Sequence, residues 1–360
     1  MGKRITIHDV ALAAQVSNGT VHRALNGKKG VSDAVRKKII RIAREMGYEP
    51  NIVASSLKKK PLRIVVAFPG PTQENRFFYG ELWNGYRNFY RELTTYNMEI
   101  IEAPYYNDEI NSFSNNLKTL MRQYQGEIHG VISGGKLLEK DILTVKKLIA
   151  NEVAVVLVSE GQENLECLCS VQSEHWLDGQ MAAELLTMQI PSESSILLCA
   201  GDVCLFSNLR NAQGFESFIK NHGGRHRIIK IGGMETNDVM YERVLDVLKN
   251  DASIRGMYSV SARHSLAIAR AADACGLGGK VRIIGSDLYP ESAAYMEKGV
   301  IQFIIDKNPR KQAEVGVKRL MDYLIRREEP AKSSEYVAST IVCRSNLHKY
   351  MDTRDCFFQD

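Results

Sequence analysis

Apolar positions change their spacing part-way along the chain, and that change divides it. Up to Tyr48 they recur at three- and four-residue intervals. Val10, Ala11 and Ala14 share one helical face, Val21, Ala24 and Leu25 a second, and Val35, Ile39, Ile42, Ala43 and Met46 a third. Thr6 with Asp9 three residues on predicts a capped start for the first helix. Ser17 and Ser32 predict the starts of the next two, and Gly47 the stop of the last. Two short helices joined by so tight a turn, with small alanines where they cross, predict a helix-turn-helix. Beyond Pro61 the pattern becomes short apolar runs. Ile64–Phe68, Met98–Ala103, Gly130–Ser133, Val153–Val158 and Ile196–Ala200 predict strands, as do Ile228–Ile231, Gly256–Val260, Val281–Gly285 and Ile301–Ile305. Amphipathic stretches lie between them, one marked by Leu82, Tyr86, Phe89 and Leu93, another by Ala182, Leu185 and Leu186.

The fold class expected is therefore a small all-α helix-turn-helix domain followed by α/β, with enough strands for two Rossmann-like parallel-sheet subdomains. Ligands of such sheets bind at the carboxyl ends of the strands, in the cleft between lobes. The boundaries read as 1–49 for the helical headpiece, 50–61 for a linker, 62–345 for a two-lobed body and 346–360 for a tail.

Charge sharpens this division. Residues 1–60 carry thirteen Lys and Arg against four Asp and Glu, a net of +9, so the other 300 residues of a +5 chain sum to −4. A basic module on a mildly acidic body is the distribution that phosphate neutralisation requires, although a merely solvated basic face has the same composition. The seven cysteines are scattered without Cys-x-x-Cys spacing or paired histidines, so they read as reduced apolar fillers rather than a zinc or disulfide framework. No metal and no cofactor is expected. Apolar runs are strand-sized, and no apolar segment follows the basic start at Lys3-Arg4, so no membrane partner and a cytoplasmic location are expected.

Four segments and two further residues carry a resemblance. Ile5-Thr6-Ile7-His8-Asp9-Val10-Ala11 is followed by Val16-Ser17-Asn18-Gly19-Thr20-Val21-His22-Arg23-Ala24-Leu25-Asn26-Gly27. Val31-Ser32, Gly47-Tyr48-Glu49-Pro50-Asn51, Ala54 and Leu57 complete the set. Together they resemble the headpiece of the LacI/GalR repressor family. The resemblance implies that the second helix lies in the major groove of double-stranded DNA, bringing Ser17, Asn18, Gly19, His22 and Arg23 towards it. Arg23 suits guanine O6/N7 and Asn18 adenine N6/N7. Gly19 has two readings, close backbone approach or a forgone base contact. The alternative for Asn18 and His22 is that they are ordinary exposed residues. Thr6, Ser17, Asn26 and Ser32 resemble phosphate-contacting positions, which set register without reading sequence. The linker is implied to be a hinge helix, with Asn51 among its DNA contacts, Ala54 packed close and Leu57 wedged into a minor-groove step. Alternatively Leu57 caps the linker against the body.

The body is similar to the same family's effector domain, itself similar to periplasmic sugar-binding proteins. Asn75-Arg76-Phe77-Phe78 resembles an Asn-Pro-Phe-Phe loop, which implies that Phe77 and Phe78 stack on a sugar while Asn75 takes a hydroxyl. Gly285-Ser286-Asp287 resembles a Gly-Phe-Asp segment whose carboxylate accepts sugar hydroxyls, and Asp306-Lys307-Asn308-Pro309 an Asp-Gln-Asn-Pro segment. Elsewhere the pattern departs. Asn211 stands where an arginine precedes Gly214-Phe215, with Arg210 one residue early. Ser159-Glu160, Glu174-His175 and Ser261-Ala262 replace other common pairs. Lys307, Arg76 and Arg210 raise an anionic ligand, a sugar acid or phosphate, against the reading that they are rim charges. Trp176 is open between ligand stacking and the core.

These observations point to a homodimeric transcription regulator, expected to be a repressor in type, on a near-palindromic operator, controlled by a sugar-like ligand. A periplasmic-type sugar receptor without a regulatory role is the alternative. An enzyme is disfavoured, because the chain lacks a Gly-x-Gly-x-x-Gly, a Walker loop, a Gly-x-Ser-x-Gly and metal-spaced histidines.

Overall fold

The three helical stripes of the N-terminus fold onto one another in the computed structural model, which describes residues 5–25, 28–48, 60–89, 96–106, 108–161, 165–222, 224–233 and 236–351. Helices α1 (Ile7–Ala14), α2 (Asn18–Leu25) and α3 (Asp33–Glu45) bury Val10, Ala14, Val21, Ala24, Ile39 and Ala43 in a common core. Thr6 and Asp9 form the capping box: the Thr6 backbone N–H donates to Asp9 Oδ2 at 2.8 Å and the Asp9 N–H to Thr6 Oγ1 at 3.4 Å. Gln15, in the left-handed region at φ 57°, turns the chain from α1 into α2. Two basic side chains tie the helix ends. Arg36 donates to the carbonyls of Arg23, Ala24 and Lys28, and Lys38 to that of Ala14, where exposed helix carbonyls attract cations. Residues 1–61 and 62–360 are separate compact units.

The second unit is two α/β lobes. The first runs β1 (Leu62–Ala67), α4 (Arg76–Asn88), β2 (Met98–Glu102), α5 (Phe113–Gln123), β3 (Gly130–Gly134), α6 (Glu139–Ala150), β4 (Ala154–Val158) and β5 (Cys169–Gln172). The chain then crosses to α7 (His175–Thr187), β6 (Ser195–Cys199), α8 (Phe206–His222), β7 (Arg227–Ile231), α9 (Asn237–Asn250), β8 (Ile254–Ser259), α10 (Ala262–Ala274), β9 (Arg282–Ser286), α11 (Pro290–Glu297) and β10 (Phe303–Asp306). It returns for α12 (Pro309–Met321), a π-helical turn (Asp322–Arg326) and β11 (Ser334–Tyr336), then crosses a third time for β12 (Thr340–Cys343) and α13 (Leu347–Met351).

The strand orders are β11-β5-β4-β3-β1-β2 and β12-β10-β9-β8-β6-β7, so both lobes share a doubly wound arrangement. Every pairing is parallel except that of β10 with β12. Alternate residues of each strand feed cores on opposite faces: Ile64 and Val66 pack on one side of the first sheet, Val65 and Ala67 on the other. In the second lobe α7 and α8 cross unusually closely. A Cβ on Gly179 would lie 2.0 Å from the Asn211 carbonyl oxygen, and one on Gly214 2.1 Å from that of Trp176.

The three crossings are tied to one another. The Val337 N–H donates to the Gln172 carbonyl at 2.9 Å, and Asn308 Nδ2 donates to the Ala338 carbonyl at 2.7 Å and to Thr340 Oγ1 at 3.1 Å.

Candidate functional site

Two surfaces stand out, one on each unit. On the helical unit, Val21 and Ala24 turn α2 inwards, so Asn18, Gly19, His22 and Arg23 form an exposed ridge along its outer side. Ser17 sets the start of this helix: its Oγ accepts the Thr20 N–H at 3.2 Å and meets Thr20 Oγ1 at 2.9 Å. A Cβ on Gly19 would meet only Ser17 Oγ, at 3.8 Å, so the glycine is not required by packing. Thr6 and Ser32, the caps of α1 and α3, are also exposed.

On the body, a cavity of about 500 Å³ lies between the lobes. Every strand end of the first five contributes: Pro69 and Gly70 after β1, Tyr105 after β2, Lys136 after β3, Ser159 and Glu160 after β4, and His175 after β5. The second lobe supplies Asp202 after β6, Gly233 after β7, Ser261 and Arg263 after β8, Asp287 after β9 and Lys307 after β10. Side chains there face the space beyond the sheets, while those within the strands are consumed by the cores. Aromatic groups from the first lobe, Phe78, Tyr79, Tyr105 and Tyr106, add apolar area.

Ion pairs occupy much of the cavity's positive charge. Lys307 Nζ sits 2.9 Å from Asp287 Oδ2 and donates to the Val260 carbonyl at 3.0 Å, while the Lys307 N–H donates to Asp287 Oδ1 at 3.2 Å. Lys136 Nζ meets Asp202 Oδ2 at 2.9 Å across the lobes. Burial opposes charge on Asp202, but the bonds from Lys136 and Cys204 outweigh it and hold its carboxyl below the usual range. Glu160 is different. Burial pushes its carboxyl up to about 7, against the bonds it accepts from the Ser207 hydroxyl and N–H. His175 is pressed down to about 3 by burial, with Lys307 adding to the effect, so its ring is neutral. More bridges cross the lobes. Arg76 pairs with Glu291 at 2.7 Å, Glu74 Oε2 accepts the Asn237 N–H at 3.0 Å, and Arg263 Nε donates to the Glu74 carbonyl at 2.9 Å.

Both surfaces have counterparts among known proteins. Residues 6–51 match the family described as bacterial regulatory proteins, lacI family, and residues 142–328, over half of the chain, match the periplasmic binding protein domain. The chain joins a helix-turn-helix domain of the lacI family of bacterial regulatory proteins to a periplasmic binding protein domain. Its relatives include the ribose operon repressor of Haemophilus influenzae, 34% identical over 118 residues (33% of this chain, 34% of the relative). Catabolite control protein A of Priestia megaterium is 32% identical over 157 residues, 43% of each chain. The HTH-type transcriptional regulator DegA of Bacillus subtilis is 27% identical over 221 residues, 61% of this chain and 62% of its own. The matches thus span about a third to three fifths of the relatives' lengths. Among solved structures, the glucose-galactose binding protein GanP of Geobacillus stearothermophilus superposes with a TM-score of 0.69 at 17% identity, covering 80% of this chain and 99% of GanP. A Burkholderia graminis solute-binding protein in complex with D-arabinose gives 0.71 at 14% identity, covering 81% and 98%.

The residues that the family resemblance singled out divide by position. Asn75, Phe77, Phe78, Asn211, Asp287 and Lys307 line the cavity. Trp176 and Arg210 do not: the Arg210 guanidinium lies 4.7 Å from the Trp176 ring centroid, and both stand off the cavity wall. Each is the helical neighbour of a lining residue, His175 and Asn211, and is turned about 100° away from it. Asn211 is buried, with Oδ1 accepting the Tyr258 hydroxyl at 2.7 Å.

Stacking by Phe77 on a ligand is also corrected. Tyr289 stacks on its ring at 4.1 Å, and the Arg76 guanidinium lies 4.2 Å over it, so both faces are taken. Phe78 keeps ring area towards the cavity. The three cations behind an anionic ligand are each engaged: Lys307 by Asp287, Arg76 by Glu291 and Arg210 by Trp176. Asn26, Asn51, Ala54 and Leu57, and with the last three the hinge helix, lie outside the described residues. Glu160, Lys136, Asp202 and Ser207 were not selected from the sequence, although three of them follow strand ends and the strand-end rule alone would have flagged them.

No helix among the described residues is long and apolar enough to cross a membrane, and no group of three or more His, Cys, Asp or Glu there could hold a metal. The six described cysteines are free.

Proposed function

We propose that this protein is a sequence-specific DNA-binding transcription regulator, a repressor in type, whose operator affinity is set by a small sugar-like ligand held between the two lobes. One observation carries the reading: the exposed ridge of Asn18, Gly19, His22 and Arg23 on α2, borne by a capped helix-turn-helix in the basic end of the chain. Arg23 and Asn18 offer the bidentate donors and acceptors that guanine and adenine edges require, while Thr6, Ser17 and Ser32 supply hydroxyls for phosphates. The relatives named as repressors and regulators support the same role. The ligand site is the strand-end cavity, where Asp287, Asn75 and the Glu160–Ser207 pair present polar groups beside the Phe78 ring. Neighbouring structures named for binding sugars support that class of ligand.

A homodimer is part of the proposal, because two headpieces reading two half-sites account for operator symmetry. The role is binding and not catalysis, and its place is the cytoplasm. Ligand control works through lobe closure: a ligand that favours the closed arrangement shifts the balance between DNA-competent and incompetent dimers by its difference in affinity for them.

Gel-shift titration of the full chain against genomic fragments, with and without neutral hexoses and pentoses, tests this. Retention of a discrete fragment against competitor DNA, altered by one sugar class, is the expected result. Sugar binding without any selective DNA retention would instead favour a sugar receptor without a regulatory role.

A further inference from the structure

The charge lining the cavity is predominantly negative. Both of its lysines are ion-paired, Lys307 with Asp287 while also bonding the Val260 carbonyl, and Lys136 with Asp202, whereas Arg263 donates through Nε to the neutral Glu74 carbonyl. Five carboxylates line the cavity against these three cations, and His175 is neutral. Pairing two of the carboxylates with lysines leaves Glu160, Glu74 and Asp108 against one arginine. Glu160 is the most telling of them. It is 8% exposed, and among the described residues no basic nitrogen lies within 4.0 Å of its oxygens, whose only partner is Ser207. A buried carboxylate bonded only by neutral donors, with Lys307 acting on it from beyond pairing distance, lacks the paired counter-charge that usually accompanies burial.

An independent observation gives the same sign. Gln312, 1% exposed on α12, donates through Nε2 to the Lys307 carbonyl at 2.6 Å, but its Oε1 has no donor although the residue lines the cavity. A buried amide oxygen without a donor calls for one from the ligand. The aromatic wall of Phe78, Tyr79 and Tyr105 suits a cation as well as a sugar ring, since ring faces carry negative potential.

We propose that the ligand is a cationic, amine-bearing sugar whose ammonium pairs with Glu160. This rests on the cavity being the sugar site proposed above and narrows its ligand class. An ammonium brings three donors and positive charge, whereas a sugar acid would add negative charge to a cavity whose carboxylates already outnumber its cations.

Calorimetry with the full chain at pH 7 tests it, using D-glucosamine, D-galactosamine and D-mannosamine, each against its parent hexose and its N-acetyl derivative. One amine is expected to bind at least about tenfold more tightly than its parent hexose, the least that a charge-assisted bond should add, and N-acetylation is expected to abolish the gain. Glu160→Gln should bring amine and parent to within about threefold of each other. Should that variant fold poorly, the comparison of amine with parent in the unaltered protein decides alone. Binding of no amine, or of a parent hexose as tightly as its amine, overturns the proposal. Selective DNA retention that responds to a neutral sugar would then leave the regulatory reading intact, while amine binding without DNA retention would do the reverse.

Discussion

Glu160 shows how one residue can carry opposing demands. Its carboxyl is raised to about 7 mainly by burial, so ionising it costs the folded body free energy that the unfolded chain does not lose. The sign follows from proton linkage: between the unfolded value near 4.5 and the folded value near 7 the native state binds more protons, so this group's contribution to stability falls as pH rises. His175 works in the opposite direction, because a ring held neutral loses stability as pH falls below its unfolded value of 6.5. The overall pH profile therefore hides both groups, and a difference exposes one. Glu160→Gln should be stabilising relative to the parent by an amount that grows from pH 4.5 to above 7 and levels off at about 3 kcal/mol. Urea unfolding at several pH values measures it, and a flat difference contradicts the burial account.

On the α2 ridge, Arg23→Ala is expected to reduce discrimination between operator and altered sites by about 1–3 kcal/mol if its guanidinium reads a guanine. Equal loss on every duplex would make it a phosphate contact. Competition binding distinguishes the two outcomes.

At the scale of elements, the helices of the N-terminal unit were the most legible part of the chain. Their caps, Thr6, Ser17 and Ser32, are local chemistry, and their buried stripes recur at helical spacing. Nine strands were legible as apolar runs because central parallel strands are buried on both faces. Cys169–Gln172, Ser334–Tyr336 and Thr340–Cys343 were not, since they are only three or four residues long and mix polar with apolar positions. The last two also depend on a chain that crosses between lobes, which no local pattern records.

The candidate site was half legible for a related reason. Asp287 and Lys307 sit in segments that resemble family motifs, whereas Glu160 and Asp202 acquire meaning only when the strand ends of both lobes face one cavity. Arg210 and Trp176 show the opposite error, because adjacent helical positions diverge by about 100° and proximity in sequence does not decide which faces a cleft. One element carries a sharp stability test. Gly179→Ala places a methyl against the Asn211 backbone and must push α7 from α8, so a loss of about 1–3 kcal/mol is expected, read as a lowered Tm of the body. An unchanged Tm contradicts the close crossing.

Across the body, several contacts join the lobes around the cavity, among them Lys136–Asp202, Glu160–Ser207, Arg76–Glu291, Glu74–Asn237, Arg263–Glu74 and the Phe77–Tyr289 stack. Several of these residues also line the cavity, so a ligand that engages them changes the same bonds that hold the lobes together. On the proposed function this would couple the site to the lobe arrangement, and reciprocity would then require that DNA binding alter ligand affinity by the factor with which ligand alters DNA affinity. Lys136→Met removes one bridge and leaves Asp202 without its cation. Ligand affinity is expected to fall while DNA affinity without ligand changes little, and calorimetry beside a gel shift checks both.

The central claim is that a cavity between two lobes governs DNA reading by the α2 ridge. Competitive anisotropy of the full chain on a duplex selected from a random library, at about 0.15 M salt and over a ligand titration, tests it most directly. The account predicts a near-palindromic site bound at least about a thousandfold more tightly than random DNA, with that preference changed by the sugar the cavity binds. Equal affinity for selected and random duplexes, with the cavity filled or empty, would contradict it.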